Sequence, residues 1–295
     1  MLPSARKGEE CLCPAHGLGV VDKSAAGSVE TNGRGQARGG DATQCTGGPI
    51  DFLVTGSGSV TVNSQPAARM SDKTMHRGLV VLGSGDVVIG GPTVGATLGN
   101  KKAGTACCES MAAGRDPASE TGITPGARKQ SYSNCGIESS RQIINTATGK
   151  KLTEGELLRK AVDRGQAFGT TDPKLIRYAG GSLPEQRVAL LNENGVPAEA
   201  VPGTVDNMVQ ASAEGRGVEV DIWAGSIWPP SYGRKPGTGP HSVLVTGIEF
   251  DANGLPTGVI INDTGAGDCG KTYPIETFRK AIIGQNHVIT KQPIW

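Results

Sequence analysis

Residues 65–78, QPAARMSDKTMHRG, stand between two copies of one pattern. The upstream copy is Val54-Thr55-Gly56-Ser57-Gly58-Ser59-Val60-Thr61-Val62. The downstream copy is Val81-Leu82-Gly83-Ser84-Gly85-Asp86-Val87-Val88-Ile89, offset by 27 residues (83 minus 56). Each copy reads as strand, Gly-Ser-Gly turn, strand, because β-branched residues flank a tight-turn sequence. Glycine recurs too often here for a helix. The same composition extends over residues 1–100, which hold 19 of the 45 glycines and a single aromatic residue, Phe52. A segment with so few large apolar side chains cannot build an ordinary core; it needs tight turns, close backbone packing and an added staple. The expectation is a small, rigid, all-β body of short hairpins.

Composition changes again around Lys101–Gln130, where small and polar residues with interspersed Gly and Pro read as a linker. The domains expected are therefore residues 1–100, a linker over 101–127, and residues 128–295. The remaining ten aromatic residues all lie from Tyr132 onward. Periodicity predicts helices at Cys135–Thr146, Thr153–Asp163, Leu183–Glu193, Val205–Ala213 and Ile275–Ile282. It predicts strands at Val218–Trp223, Ser242–Phe250, Gly258–Asn262 and Val288–Lys291. Helices first and paired strands later give an α+β order with an antiparallel sheet.

At 295 residues the chain is long enough for two cores. A net charge of +1 with 19% charged residues gives no field that points to nucleic acid or to an acidic membrane surface. No stretch reaches the roughly 18 apolar residues of a membrane span. The opening MLPSARKGEECLC lacks an apolar segment, so export by an ordinary signal peptide is not expected. Seven cysteines, at positions 11, 13, 45, 107, 108, 135 and 269, do not form the even framework of a secreted disulfide protein. Metal ligation and catalysis in a reducing cytoplasm are the better readings.

The motifs CPAHG, GGPI, PAAR, MHRG and VVIGGP follow one another over residues 10–98, and the segment resembles PAAR domains of type VI secretion. That resemblance implies a β-cone seated on the trimeric VgrG spike, its point fixed by zinc. Residues for such a site are present: Cys13 and His16 in a C-x-x-H pair, Cys45 before Thr-Gly-Gly-Pro, and His76 after the motif. Cys11 is the alternative to Cys13. Two Cys and two His suit tetrahedral Zn²⁺, whose binding stabilises a fold that lacks a large core. Arg69 of the motif reads as a structural hydrogen-bonding residue.

In the last domain, KQSYSNCGIESSRQI (129–143) places Cys135 where a polar loop becomes a helix, with Asn134 as the expected N-cap. A helix N-terminus favours the thiolate, and Gly136 leaves the sulfur approachable. His241 opens one apolar strand and Asp263 closes the next. Pairing of those strands through the turn at 251–256 brings the two side chains together, as a base and its orienting carboxylate require. The structural readings are an inert Cys135, a satisfied His241 and an Asx turn at Asp263. Asn262 and Asp268 are the substitutes for Asp263. Cys269 and His287 read as structural, the Cys107–Cys108 pair as neither metal site nor partner site, and Trp223, Trp228 and Tyr232 as core or cleft wall.

Residues 128–295 resemble papain-like cysteine peptidases, most closely the bacteriocin-processing branch, which shows a Gln before an (Asp/Asn)-Cys-Gly, a strand opened by His, and an Asp after a short return strand. By position the resemblance implies Cys135 as nucleophile, His241 as base, Asp263 as orienter and Gln130 as oxyanion donor beside the Cys135 N–H. No cofactor is implied for catalysis. The combined expectation is a type VI effector: a spike tip carrying a cysteine protease into a rival cell, made in the producer's cytoplasm and neutralised there by an immunity protein over the Cys135–His241 cleft. A deamidase, transglutaminase or peptidoglycan amidase would use the same thiol chemistry. A spike tip with a non-enzymatic adaptor domain is the reading of another class. A transporter-linked leader peptidase is disfavoured, because no span or nucleotide-binding loop is present.

Overall fold

Glu10–Cys13 alternates exposed and buried residues, as does Ala42–Cys45, and each sends its cysteines inward. These strands lie in a sheet built from β1 (Glu10–Cys13), β2 (Gly17–Lys23), β3 (Ala42–Cys45), β4 (Ile50–Phe52) and β5 (Leu79–Val80). Its order is β5-β1-β2-β3-β4, with every neighbour antiparallel. The structure is a computed structural model that describes residues 1–23, 27–99, 111, 129–284 and 286–295. The expected linker, 101–127, lies outside the described residues except for Met111, and so does the Cys107–Cys108 pair. The chain divides into one unit of Met1–Leu98 with Ile248–Gly258, and a second of Gly99–Gly247 with Val259–Trp295.

The first unit is strand-rich, as its composition requires, and short hairpins such as β1–β2 and β3–β4 build it. The Gly-Ser-Gly copies are not themselves hairpins, however. Thr55–Ser57 pairs with Thr93–Gly95, Thr61–Val62 with Gln65–Pro66, and Val88–Ile89 with Leu2–Pro3. The cause is the serine in each copy. Ser57 Oγ accepts from the N–H groups of Ser59 (3.2 Å) and Val60 (3.1 Å), and Ser84 Oγ accepts from Val87 N–H at 3.2 Å. These side-chain turns redirect the backbone instead of closing a two-strand ladder.

Small side chains fill the interior: Ala5, Val21, Ala37, Leu53, Ala68 and Val80. Polar groups complete it. Arg69, 1% exposed, grips the Asp72 carboxylate through Nε (2.9 Å) and Nη2 (3.1 Å) and donates to Gly91 O and Thr93 Oγ1, both at 2.8 Å. A buried bidentate pair with its remaining donors satisfied ties three segments where apolar volume is lacking. Arg69 is thus a structural hydrogen-bonding residue.

The second unit has the expected α+β layout. Its helices are α1 (Cys135–Thr148), α2 (Glu154–Asp163), α3 (Pro184–Glu193), α4 (Val205–Ala213) and α5 (Ile275–Ala281). Its strands are β6 (Ala198–Val201), β7 (Arg216–Trp223), β8 (Pro240–Phe250), β9 (Pro256–Asp263), β10 (Asp268–Pro274) and β11 (His287–Pro293), in the order β6-β11-β7-β8-β9-β10. Strands β6 and β10 were not expected from the sequence. α2 starts with a capping box in which Glu156 N–H donates to Thr153 Oγ1 (3.3 Å) and Thr153 N–H to Glu156 Oε2 (2.9 Å). α1 stops at Gly149, whose φ of 70° is the left-handed conformation that glycine adopts without strain.

The core joins Ile137, Ile143 and Ile144 of α1 to Leu157 of α2, Leu190 of α3 and Leu244 of β8. Each such side chain contributes about 1.5–3 kcal/mol on burial, so α1 is fixed against the sheet along most of its length. That rigidity is what positions its first residue, Cys135. Among the described residues, no helix is long and apolar enough to cross a membrane.

Candidate active site

β8 and β9 are neighbours in the sheet, so the start of one lies beside the end of the other. His241 Nε2 and Asp263 Oδ1 are 2.7 Å apart, with His241 7% exposed and Asp263 fully buried. The carboxylate is held from every side. Oδ1 also accepts from the N–H groups of Gly265 (2.9 Å) and Ala266 (3.0 Å), and Oδ2 accepts from Trp228 Nε1 at 2.6 Å. The Asx turn and the contact with His241 are therefore made by the same carboxylate. Asn262 is committed elsewhere: its Nδ2 donates to Gln142 Oε1 (2.9 Å) and its Oδ1 accepts from Gly270 N–H (3.0 Å). Asp268 pairs with Lys271 at 2.7 Å.

With Nε2 on Asp263, Nδ1 is the imidazole nitrogen left for the thiol. Cys135, half-buried as the first residue of α1, lines the same cleft as His241, and the His241 side chain and the Ser242 backbone both favour its thiolate. Burial works against ionisation of the Cys135 thiol, but His241, the Ser242 backbone and the Arg187 guanidinium outweigh it and lower the pKa. Burial likewise opposes protonation of His241, yet Asp263 and Cys135 push the imidazole upward. Asp263 is lowered, because His241 and Trp228 overcome its burial. All three shifts favour a thiolate–imidazolium pair beside a carboxylate.

A cleft of about 190 Å³ opens over the sulfur, lined in part by Gln130, Ser133, Cys135, Trp228, Arg234 and His241. Gln130 is anchored at its rim: Oε1 accepts from Thr264 Oγ1 and Nε2 donates to Tyr132 O, both at 2.8 Å. An amide carries two N–H donors, so one remains beyond the Tyr132 contact. Trp228 is cleft wall as well as Asp263 donor, its ring tilted against the His241 and Tyr232 rings, each 5.2 Å away between centroids.

Two local expectations need correction. Asn134 makes no side-chain cap bond, and both polar atoms of its buried amide lack a hydrogen-bond partner. Its φ of −122° and ψ of 34° are not the extended geometry of a capping residue. Gly136 is buried and faces the protein interior: a Cβ there would meet Arg187 Cδ at 2.7 Å and Ser182 Oγ at 2.8 Å. Its role is to admit the Arg187 side chain.

Sequence reasoning missed the polar array around Arg187. In β7 the acids of Val218-Glu219-Val220-Asp221 alternate with valines in a buried strand. Acids in that setting call for a cation, which was the available signal. His287 is structural; its Nε2 meets Thr204 O at 3.0 Å. Cys269 is disulfide-bonded.

A second cluster lies in the first unit. Cys13 ends β1, His16 lies in the turn to β2, the end of β3 carries Cys45, and His76 precedes β5. One donor atom from each of these four residues lies within 4.8 Å of the others. Cys13 Sγ is 3.3 Å from His16 Nδ1, and the two histidine rings stand edge to face at 5.3 Å. Cys11 is outside the group. Two sulfurs and two imidazoles at this spacing suit tetrahedral Zn²⁺, with bonds of about 2.0–2.3 Å. Burial and neighbouring Cys13 push the Cys45 thiol up to about 12, so a bound cation is what would stabilise its thiolate. Gly48 makes room for the ring, since a Cβ there would sit 2.5 Å from His16 Cγ.

A family model described as the PAAR motif matches residues 14–82. No curated protein matches the chain. Among solved structures, a C39-like peptidase from Bacillus anthracis superposes with a TM-score of 0.38 and 14% identity, over 54% of this chain and 88% of that one.

Proposed function

We propose that this chain, whose PAAR motif indicates a type VI spike tip, carries behind that tip a papain-like cysteine protease that acts in the cell it enters. The observation that carries the reading is the 2.7 Å contact of His241 Nε2 with Asp263 Oδ1, which leaves Nδ1 for Cys135 at the head of a rigid helix. Nucleophile, base and orienter then stand in the order acyl transfer requires.

In the reaction, the Cys135 thiolate, whose proton already rests on His241 Nδ1, attacks the substrate carbonyl carbon. The oxygen that gains charge is met by the Cys135 backbone N–H and the remaining Gln130 N–H. The C–N bond breaks as His241 returns the proton to the leaving amine. Water, deprotonated by His241, attacks the thioester, releasing the acid and restoring the thiol. In the first unit, Cys13, His16, Cys45 and His76 would hold a structural zinc ion that stiffens the tip. The PAAR motif implies contact with the VgrG spike. A protease borne by its maker calls for an immunity protein that covers the cleft.

The test compares the wild-type chain with Cys135→Ala in a sensitive bacterium, read by growth and by new protein N-termini. Growth arrest with new N-termini in the wild type alone is expected. Arrest with converted side-chain amides and no new N-termini would favour the deamidase or transglutaminase reading. Arrest by Cys135→Ala would leave the adaptor reading.

A further inference from the structure

Arg187 lies in α3, outside the Cys135–His241–Asp263 set, and is 1% exposed. Its guanidinium forks onto the Asp221 carboxylate, Nη1 to Oδ1 at 2.7 Å and Nη2 to Oδ2 at 2.6 Å. Nη1 also donates to Ser242 Oγ. Asp221 and Ser242 are direct partners across β7 and β8, one register step from the Ile222–His241 pair. Glu219, two residues back on β7, stands 3.6 Å from Arg187 Nε and accepts from Ser140 Oγ of α1 at 2.7 Å. The array therefore touches β7, β8 and the helix that bears the thiol. Gly136, next to Cys135, is the residue whose missing side chain lets Arg187 reach this place. Ser242 joins the two systems: its side chain holds Arg187, and its backbone, next to His241 in β8, is among the groups that favour the Cys135 thiolate.

We propose that Arg187 is a positioning residue of the thiol site, setting Ser242 and the start of α1 so that Cys135 meets His241, and placing a buried positive charge behind the sulfur. This rests on the reading of Cys135 as the nucleophile. Buried ion pairs contribute little net stability compared with apolar packing, so an array of this size beside a reactive thiol calls for another reason. The elements packed around Cys135 carry these charged groups: His241 on β8 with Asp263 of β9, Arg187 on α3 with Asp221 and Glu219 of β7, Glu138 with Arg141 on α1, and Arg234 at the cleft wall. Arg187 and His241 are the cations that favour the thiolate.

The test is the pH dependence of iodoacetamide alkylation at Cys135, read by peptide mass spectrometry on the full chain, so that the substrate need not be known. In the wild type, the alkylation midpoint should fall below that of an ordinary thiol. Arg187→Gln/Asp221→Asn removes both charges of the pair together and should raise that midpoint by about one pH unit, a tenfold loss of reactivity on the acid side. Arg187→Lys, which keeps the charge, should recover most of it. Gly136→Ala leaves every charge but crowds Arg187, and it should shift the midpoint upward even if the paired variant does not fold. A folded variant with a lost or displaced Arg187 and a wild-type midpoint overturns the proposal. An ordinary midpoint in the wild type overturns the nucleophile reading beneath it.

Discussion

Asp263 accepts four hydrogen bonds at once, from His241, Trp228, Gly265 and Ala266. A carboxylate offers only acceptors, whereas an asparagine in either orientation would turn an N–H₂ group against at least one of these donors. Asp263→Asn should therefore leave the backbone in place yet free the imidazole to turn and lose its raised pKa. The expected outcome is a loss on the order of 10²–10⁴-fold in the rate of product formation, with an unchanged far-UV spectrum; near-wild-type turnover would remove Asp263 from the mechanism. At this scale much was legible. Cys135, His241 and Asp263 are polar residues at element ends, where side chains meet across a fold. Arg187 was hidden, because an arginine inside a helix pattern reads as a solvated face. Asn134 misled, because its capping preference yields to a buried, non-extended backbone.

At the scale of elements, β7 carries the feature with the clearest pH signature. Glu219 is 1% exposed, and burial raises its pKa from 4.5 to about 7 against the opposing pull of Arg187 and Ser140. A carboxyl raised in the folded state contributes stability that is full below pH 4.5 and is lost as pH climbs through about 7. The stability of wild type relative to Glu219→Gln should thus decline between those limits, by up to about 3 kcal/mol, in denaturant melts taken at successive pH values. A constant difference would place Glu219 outside this linkage. The long amphipathic helices and apolar strands were readable because burial imposes their period. Strands β6 and β10 were not. Both end the sheet, and Asp268–Pro274 holds Gly, Lys and Pro where a central strand would hold β-branched residues. The Gly-Ser-Gly copies were rightly placed in strand-rich structure, but their serines turn the chain toward distant partners.

At the scale of the whole molecule, the two units are stabilised by different means. The first holds neither Trp nor Tyr, and its interior is alanine, valine and hydrogen-bonded arginine; the second contains all three tryptophans and an Ile/Leu core. If zinc joins Cys13, His16, Cys45 and His76, a strong chelator should lower the unfolding temperature of the first unit by calorimetry. The transition reported by tryptophan fluorescence should hold its place. A chelator that moves neither transition would argue against a structural metal. The bipartite organisation itself was legible, since a ring-poor, Gly-rich third cannot share one kind of core with the rest.

The reading of the chain as a delivered protease is tested most directly by mapping new protein N-termini in sensitive bacteria that express the full chain or its Cys135→Ala form. A discrete set of cut sites that appears with the wild type, is absent with Cys135→Ala and accompanies growth arrest is the expected result. Growth arrest with identical N-termini in both would contradict it.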